Sequence, residues 1–314
     1  MLTESNEPAR PIDPSARIRA PRSTAMSESN SPCPLYRSLL FVPANNARAL
    51  DKAQTLPADN IAIDLEDAVA TEQKDSLRDA LPDLIASRQF GYSSLWVRIN
   101  AVDTPAGHAD LRAVARLPVD GIILPKVENA EDVHRTGVLL GDAKRMITMV
   151  ETPLGVINAA ACCAAHPQVA AVMLGAQDLT AALTLPASNG DRSGLQYALQ
   201  ATLLAARAAG VAALDSVSAD FRNLDALSAE CDEALRFGYD GKAAIHPAQL
   251  DPIHATFSVS DAELAAARAV VACFDEATER GQSVAKLDGR MIEALHARRA
   301  SAVIARAELE RKVQ

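Results

Sequence analysis

The chain has 314 residues, 49% of them hydrophobic and 23% charged, and a formal net charge of −9. No run of about 18 apolar residues is present, so a membrane-spanning helix is not expected; the 31 Lys and Arg are scattered among 40 Asp and Glu, without the clustered cations that phosphate contacts need, so nucleic acid is not an expected partner either. The five cysteines form no CxxC or Cys/His ligand spacing and the six histidines no HExxH, which fits reduced thiols in a cytoplasmic protein and argues against a zinc site.

The first 34 residues, MLTESNEPARPIDPSARIRAPRSTAMSESNSPCP, are rich in Pro, Ser and Arg and lack apolar periodicity. They are expected to be a disordered extension, with Met26 as an alternative start. No hydrophobic segment suits a secretory signal, and Glu4, Glu7 and Asp13 argue against a transit peptide.

From residue 38 one unit repeats: a short continuous apolar run, a polar group at its end, then a stretch with helical spacing. The runs are SLLFV (38–42), NIAID (60–64), SLWVRI (94–99), GIILP (121–125), MITMV (146–150), VAAVML (169–174), VAALDS (211–216) and GKAAI (241–245). Continuous rather than alternating runs suit parallel strands covered on both faces. Asn129 and Gly141 bracket one intervening helix, and the apolar-striped stretch 195–210 stops at Gly210. Eight such units predict an α/β fold, a TIM (β/α)8 barrel over residues 35–255, in preference to an open doubly wound sheet. Beyond it, residues 256–314 are expected to form extra C-terminal helices that act as a lid or an oligomerisation arm. One runs over 260–281 behind a Ser260/Glu263 capping box, and a last helix spans roughly Met291 to Arg311.

A barrel gathers its chemistry where the strands end. Those ends carry Asp64, Glu66 and Asp67, then Arg98 and Asn100, then Lys126, Glu151, Gln177 and Asp178, Asp215, and His246. Carboxylates that converge need a positive charge between them. An oxygen-only set suits Mg²⁺ or Mn²⁺ with retained waters. Glu151 and Asp178 are the expected metal ligands, with Glu66 and Asp67 holding metal-bound waters. Arg98 is placed to grip a substrate carboxylate or to pair with Glu66 or Asp67.

In order, RSLLFVPANN, IAIDLEDAV, LWVRIN, ILPKVEN, VETPLG, LGAQDL and FGYDGKAAIHPAQL span residues 37–250. Together they resemble the citrate lyase β-subunit and malyl-CoA lyase family, related more distantly to HpcH/HpaI-type aldolases. The resemblance implies a Mg²⁺-dependent barrel that cleaves a malyl-, citramalyl- or citryl-type CoA thioester into a 2-oxo acid and an acyl-CoA. It assigns the metal to Glu151 and Asp178 and the 2-oxo acid to Arg98. It also implies a trimer or hexamer in which C-terminal segments complete a neighbouring site. Backbone N–H groups around Gly175, Ala176 and Gln177 are candidate carboxylate contacts, Arg37 and Lys242 candidate phosphate contacts for CoA, and His246 a structural residue.

Two positions depart from the family pattern. Glu293 stands in DGRMIEALH where malyl-CoA lyase-like members carry a catalytic Asp, and Leu199 stands where many carry an Arg. Glutamate reaches about 1.5 Å further than aspartate, one carbon–carbon bond, a large step for a proton-transfer group. The alternatives are therefore an acyl-CoA thioesterase, a CoA-independent 2-oxo-acid aldolase, or a non-catalytic subunit.

Overall fold

A computed structural model describes residues 35–186 and 191–313, so the N-terminal extension expected over residues 1–34 lies outside the described residues. Eight parallel strands close a TIM barrel in chain order: β1 (Ser38–Pro43), β2 (Asn60–Asp64), β3 (Ser94–Arg98), β4 (Gly121–Leu124), β5 (Arg145–Val150), β6 (Val169–Leu174), β7 (Ala212–Asp215) and β8 (Gly241–Ala244). Each matches one of the expected apolar runs to within a residue at either end. β1 pairs with both β2 and β8, which closes the ring and leaves no open edge.

Strand alternation decides which side chains fill the barrel and which face the helices. Leu39, Phe41, Ala62, Trp96, Ile123, Ile147, Met149, Ala171, Met173, Leu214 and Ala243 form the inner cluster. Their neighbours Leu40, Val42, Ile61, Ile63, Val97, Ile122 and Val172 belong to the outer core beneath the helices. Trp96 fills the barrel interior and satisfies its indole N–H on Asn60 Oδ1 at 2.9 Å.

Helices α1 (Ala47–Ala53), α2 (Lys74–Ala86), α3 (Pro105–Val114), α4 (Ala130–Leu140), α5 (Pro153–Ala164), α6 (Ala176–Ala182), α7 (Gln196–Ala209), α8 (Leu224–Phe237) and α9 (Leu250–Phe257) complete the barrel. Their starts follow from capping chemistry. Thr104, Asn129, Thr152 and Asn223 each accept a hydrogen bond from an amide three residues on, and Pro105 and Pro153 open their helices where no amide is needed. Gly210 ends α7 in the left-handed region at φ 72°, as a helix-terminating glycine does.

After α9 come α10 (Asp261–Glu279), with the Ser260/Glu263 capping box in place, an antiparallel hairpin β9 (Val284–Leu287) and β10 (Arg290–Glu293), and α11 (Ala294–Lys312). The hairpin corrects the expectation of a helix from Met291. Asp288 and Gly289 turn it with φ of 47° and 79°, so Met291 and Glu293 lie on a strand and α11 starts at Ala294. The end of α11 is tied to the floor of the barrel. Glu310 accepts from the Val259 amide at 3.0 Å and lies 3.9 Å from Arg37, and Arg306 donates to the Phe257 carbonyl. Among the described residues, no helix is long and apolar enough to cross a membrane.

Candidate active site

Alternation along the strands aims Asp64, Arg98 and Glu151 inward, because Ala62, Trp96 and Met149, two residues earlier, fill the barrel interior. Arg98 ends β3 and meets Asp64 at the end of β2 in a bidentate fork, Nε to Oδ1 at 2.7 Å and the second nitrogen to Oδ2 at 2.6 Å. Its other terminal nitrogen lies 3.2 Å from Glu66 and 3.6 Å from Asp67, and the group sits 4.9 Å above the Phe41 ring. Burial opposes the charge, but the three carboxylates more than offset it and hold the guanidinium above its ordinary range. Arg98, Asp64, Asp67 and Asp178 line one cavity of about 380 Å³ at the mouth, walled by Phe41, Met149, Met173, Val217 and Ile245.

Glu151 stands fully buried just past β5. One oxygen accepts the Lys126 amide at 2.7 Å; Oε2 is buried and has no hydrogen-bond partner among the described residues. Burial first, then the charges of Glu66 and Asp178, push its carboxyl up to about 8. Gly175 makes the arrangement possible: a Cβ there would come within 2.5 Å of both Glu151 Cβ and Oε2. Glu66 is likewise raised by burial, with Arg98 and Lys126 pulling it back.

The expected residues divide cleanly. Arg98, Glu66, Asp67, Glu151 and Asp178 are brought together at the mouth, with Gly175, Ala176 and Gln177 on the rim of the same cavity. The Gly175 amide is already engaged, donating to the Val150 carbonyl at 2.8 Å, so it is not a substrate contact. Arg37 and Lys242 are corrections. Arg37 precedes β1 at the opposite end of the barrel and is buried against Asp59, with contacts of 2.7 and 3.0 Å. Lys242 faces outward from β8, fully buried, 2.7 Å from Asp215 and 2.9 Å from Glu230. Neither reaches solvent, so neither can hold a CoA phosphate.

Glu293 is not among the residues lining the mouth cavity. It sits where β10 passes into α11, its amide donating to His296 Nδ1 at 3.1 Å. Leu199 is fully buried in the outer core, so the departure at this position lies away from the mouth. His246 stacks on Phe221 at 4.6 Å and its Nδ1 accepts from the Ala248 amide, a structural role.

Two functional residues were present in the strand-end inventory without a role. Asp64 is the principal anchor of Arg98 and also accepts from the amides of Glu66 and Ala68 at 2.9 and 3.3 Å, so it shapes the loop that carries the acidic residues. Lys126 joins Glu66 to Glu151. The inward parity of Asp64, two residues after inward Ala62, was the available signal.

No three or more His, Cys, Asp or Glu side chains converge as a ready-made metal cage among the described residues. An unpartnered buried carboxylate oxygen beside a second acid nonetheless fits a hard cation that keeps most of its waters, since Mg²⁺ needs only one or two protein carboxylates.

A family model described as HpcH/HpaI aldolase/citrate lyase matches residues 37–247. A "(3S)-malyl-CoA thioesterase" from Cereibacter sphaeroides is 42% identical over 273 residues, covering 87% of this chain and 95% of the relative. The citrate lyase subunit beta of Leuconostoc mesenteroides is 34% identical over 269 residues, covering 82% and 89%. Among solved structures, protein CitE from Mycobacterium tuberculosis in complex with magnesium, acetoacetate and coenzyme A superposes with a TM-score of 0.69 at 32% identity, over 86% of this chain and 97% of that one. An eight-stranded barrel with this acidic mouth and these relatives makes the chain a member of the HpcH/HpaI aldolase/citrate lyase family.

Proposed function

We propose that the chain is a Mg²⁺-dependent enzyme that hydrolyses the CoA thioester of a short hydroxy-dicarboxylic acid of the malyl type. The observation that carries this reading is the single cavity shared by Arg98, Asp67 and Asp178, with the unpartnered Glu151 oxygen beside Gly175. A malyl group bears a hydroxyl and a carboxylate on one carbon. Such a pair suits a guanidinium on one side and a divalent cation on the other. Relatives 41–42% identical are named malyl-CoA thioesterases, which favours hydrolysis as the reaction.

Glu151 and Asp178 would hold the cation, and Glu66 and Asp67 its waters. When bound, the cation supplies Lewis-acid stabilisation of charge on substrate oxygens. Arg98, fixed by Asp64, orients the carboxylate. Phe41, Met149, Met173 and Val217 pack the carbon chain. Proton transfer falls to Glu293 of a second copy in a homo-oligomer, a trimer or hexamer. Met291 and Leu295, 62% and 53% exposed, flank Glu293 as apolar contacts for that neighbour.

Carbon–carbon cleavage is the second reading, favoured by the citrate lyase β-subunit relatives and by Arg98 at the position suited to a 2-oxo acid. Incubation with malyl-CoA and Mg²⁺ separates the two. Free CoA and malate in equal amounts support hydrolysis; glyoxylate with acetyl-CoA supports cleavage. Absence of both products from malyl- and citramalyl-CoA would overturn the substrate class.

A further inference from the structure

We infer that Lys126 is a positioning residue that holds Glu66 back from the cation and leaves Glu151 and Asp178 as its only protein ligands; this rests on the cation site proposed above. Lys126 follows β4 with φ 52°, in the left-handed region that a residue with a side chain rarely enters. Strain of this kind persists where surrounding contacts dictate it, and it clusters at functional sites. The conformation makes two contacts at once. The amide donates to Glu151 Oε1 at 2.7 Å, and Nζ donates to Glu66 Oε1 at 2.6 Å and lies 3.7 Å from Asp67.

The Lys126 side chain is 40% exposed and that of Glu66 4%, so the pair joins a surface cation to a buried acid. Its consequence for the acids is asymmetric. Both Glu66 oxygens face cations, Oε1 accepting from Lys126 and Oε2 lying 3.2 Å from Arg98 without a hydrogen bond to it. Glu151 instead has one oxygen on an amide and the other without a partner. The first carboxylate is neutralised; the second is presented.

Removing the ammonium frees a Glu66 oxygen and deletes one positive charge beside the site. Coulomb attraction for a divalent cation then rises, and Glu66 can swing in as a third ligand where substrate oxygen belongs. The experiment titrates the full chain with Mn²⁺, read by electron paramagnetic resonance. Lys126→Met is expected to bind Mn²⁺ on the order of tenfold tighter and to turn over more slowly, while Lys126→Arg stays within about threefold of wild type. Adding Glu66→Gln to Lys126→Met is expected to return the affinity toward wild type, the signature of direct coupling. Lys126→Gly suits the left-handed backbone, keeps the amide, and must show the same tightening if the Met variant folds poorly. Unchanged or weaker Mn²⁺ binding in folded Met and Gly variants would overturn this role alone. A wild-type chain that binds no Mn²⁺ would overturn the cation site and this role with it.

Discussion

In the absence of a cation, Glu151 carries a proton at neutral pH, because burial and the charges of Glu66 and Asp178 raise its carboxyl to about 8. The unfolded chain releases that proton near the ordinary value of 4.5. Between these values the folded state holds more protons, so this group's contribution to stability is full at low pH and is lost as pH rises toward 8. Thermal unfolding with a chelator should show this loss, Glu151→Gln should flatten it, and Mg²⁺ should raise the melting temperature more at pH 8 than at pH 6. An equal Mg²⁺ effect at both values would contradict the assignment. Glu151 was legible in the sequence because a buried apolar run ends on it, and Arg98 for the same reason. The left-handed backbone of Lys126 was not. Gly or Asn commonly marks such a conformation, and ILPKVEN places a lysine there.

At the scale of elements, the strands were readable because sheets covered on both faces demand continuous apolar runs. Lys242 and Arg37 were misjudged by weighing charge before geometry. Ala243 fills the barrel, so Lys242 must face the helices, and Asp215 must do the same beside inward Leu214. There burial opposes ionisation of Asp215, yet Lys242 and Arg192 hold it below its ordinary range. Lys242→Met leaves Asp215 its bidentate Arg192 and the Ser216 amide, and should reduce unfolding free energy by about 1–3 kcal/mol. Urea denaturation measures this; a loss under about 1 kcal/mol would mean that the pair is not structural. The hairpin was missed for a different reason. VAKL-DG-RMIE carries the Asp-Gly turn signal, but the helical pattern that follows extends back far enough to mask its second strand.

For the whole molecule, the placement of the C-terminal arm decides how many chains build one site. Glu310 and Arg306 fix the end of α11 to the barrel floor, and among the described residues none of the arm lines the mouth cavity. Under the function proposed above, Glu293 serves a neighbouring barrel. Mixing Arg98→Met with Glu293→Gln chains, each inactive alone, should restore turnover in mixed oligomers; continued inactivity would confine each site to one chain. In the proposed cation site, Glu151 and Asp178 share one divalent ion beside Arg98. Mn²⁺ titration of the wild type, Glu151→Gln and Asp178→Asn tests it most directly. One ion per wild-type chain and none at the same concentrations in either folded variant is the predicted result; wild-type affinity in either variant would contradict it.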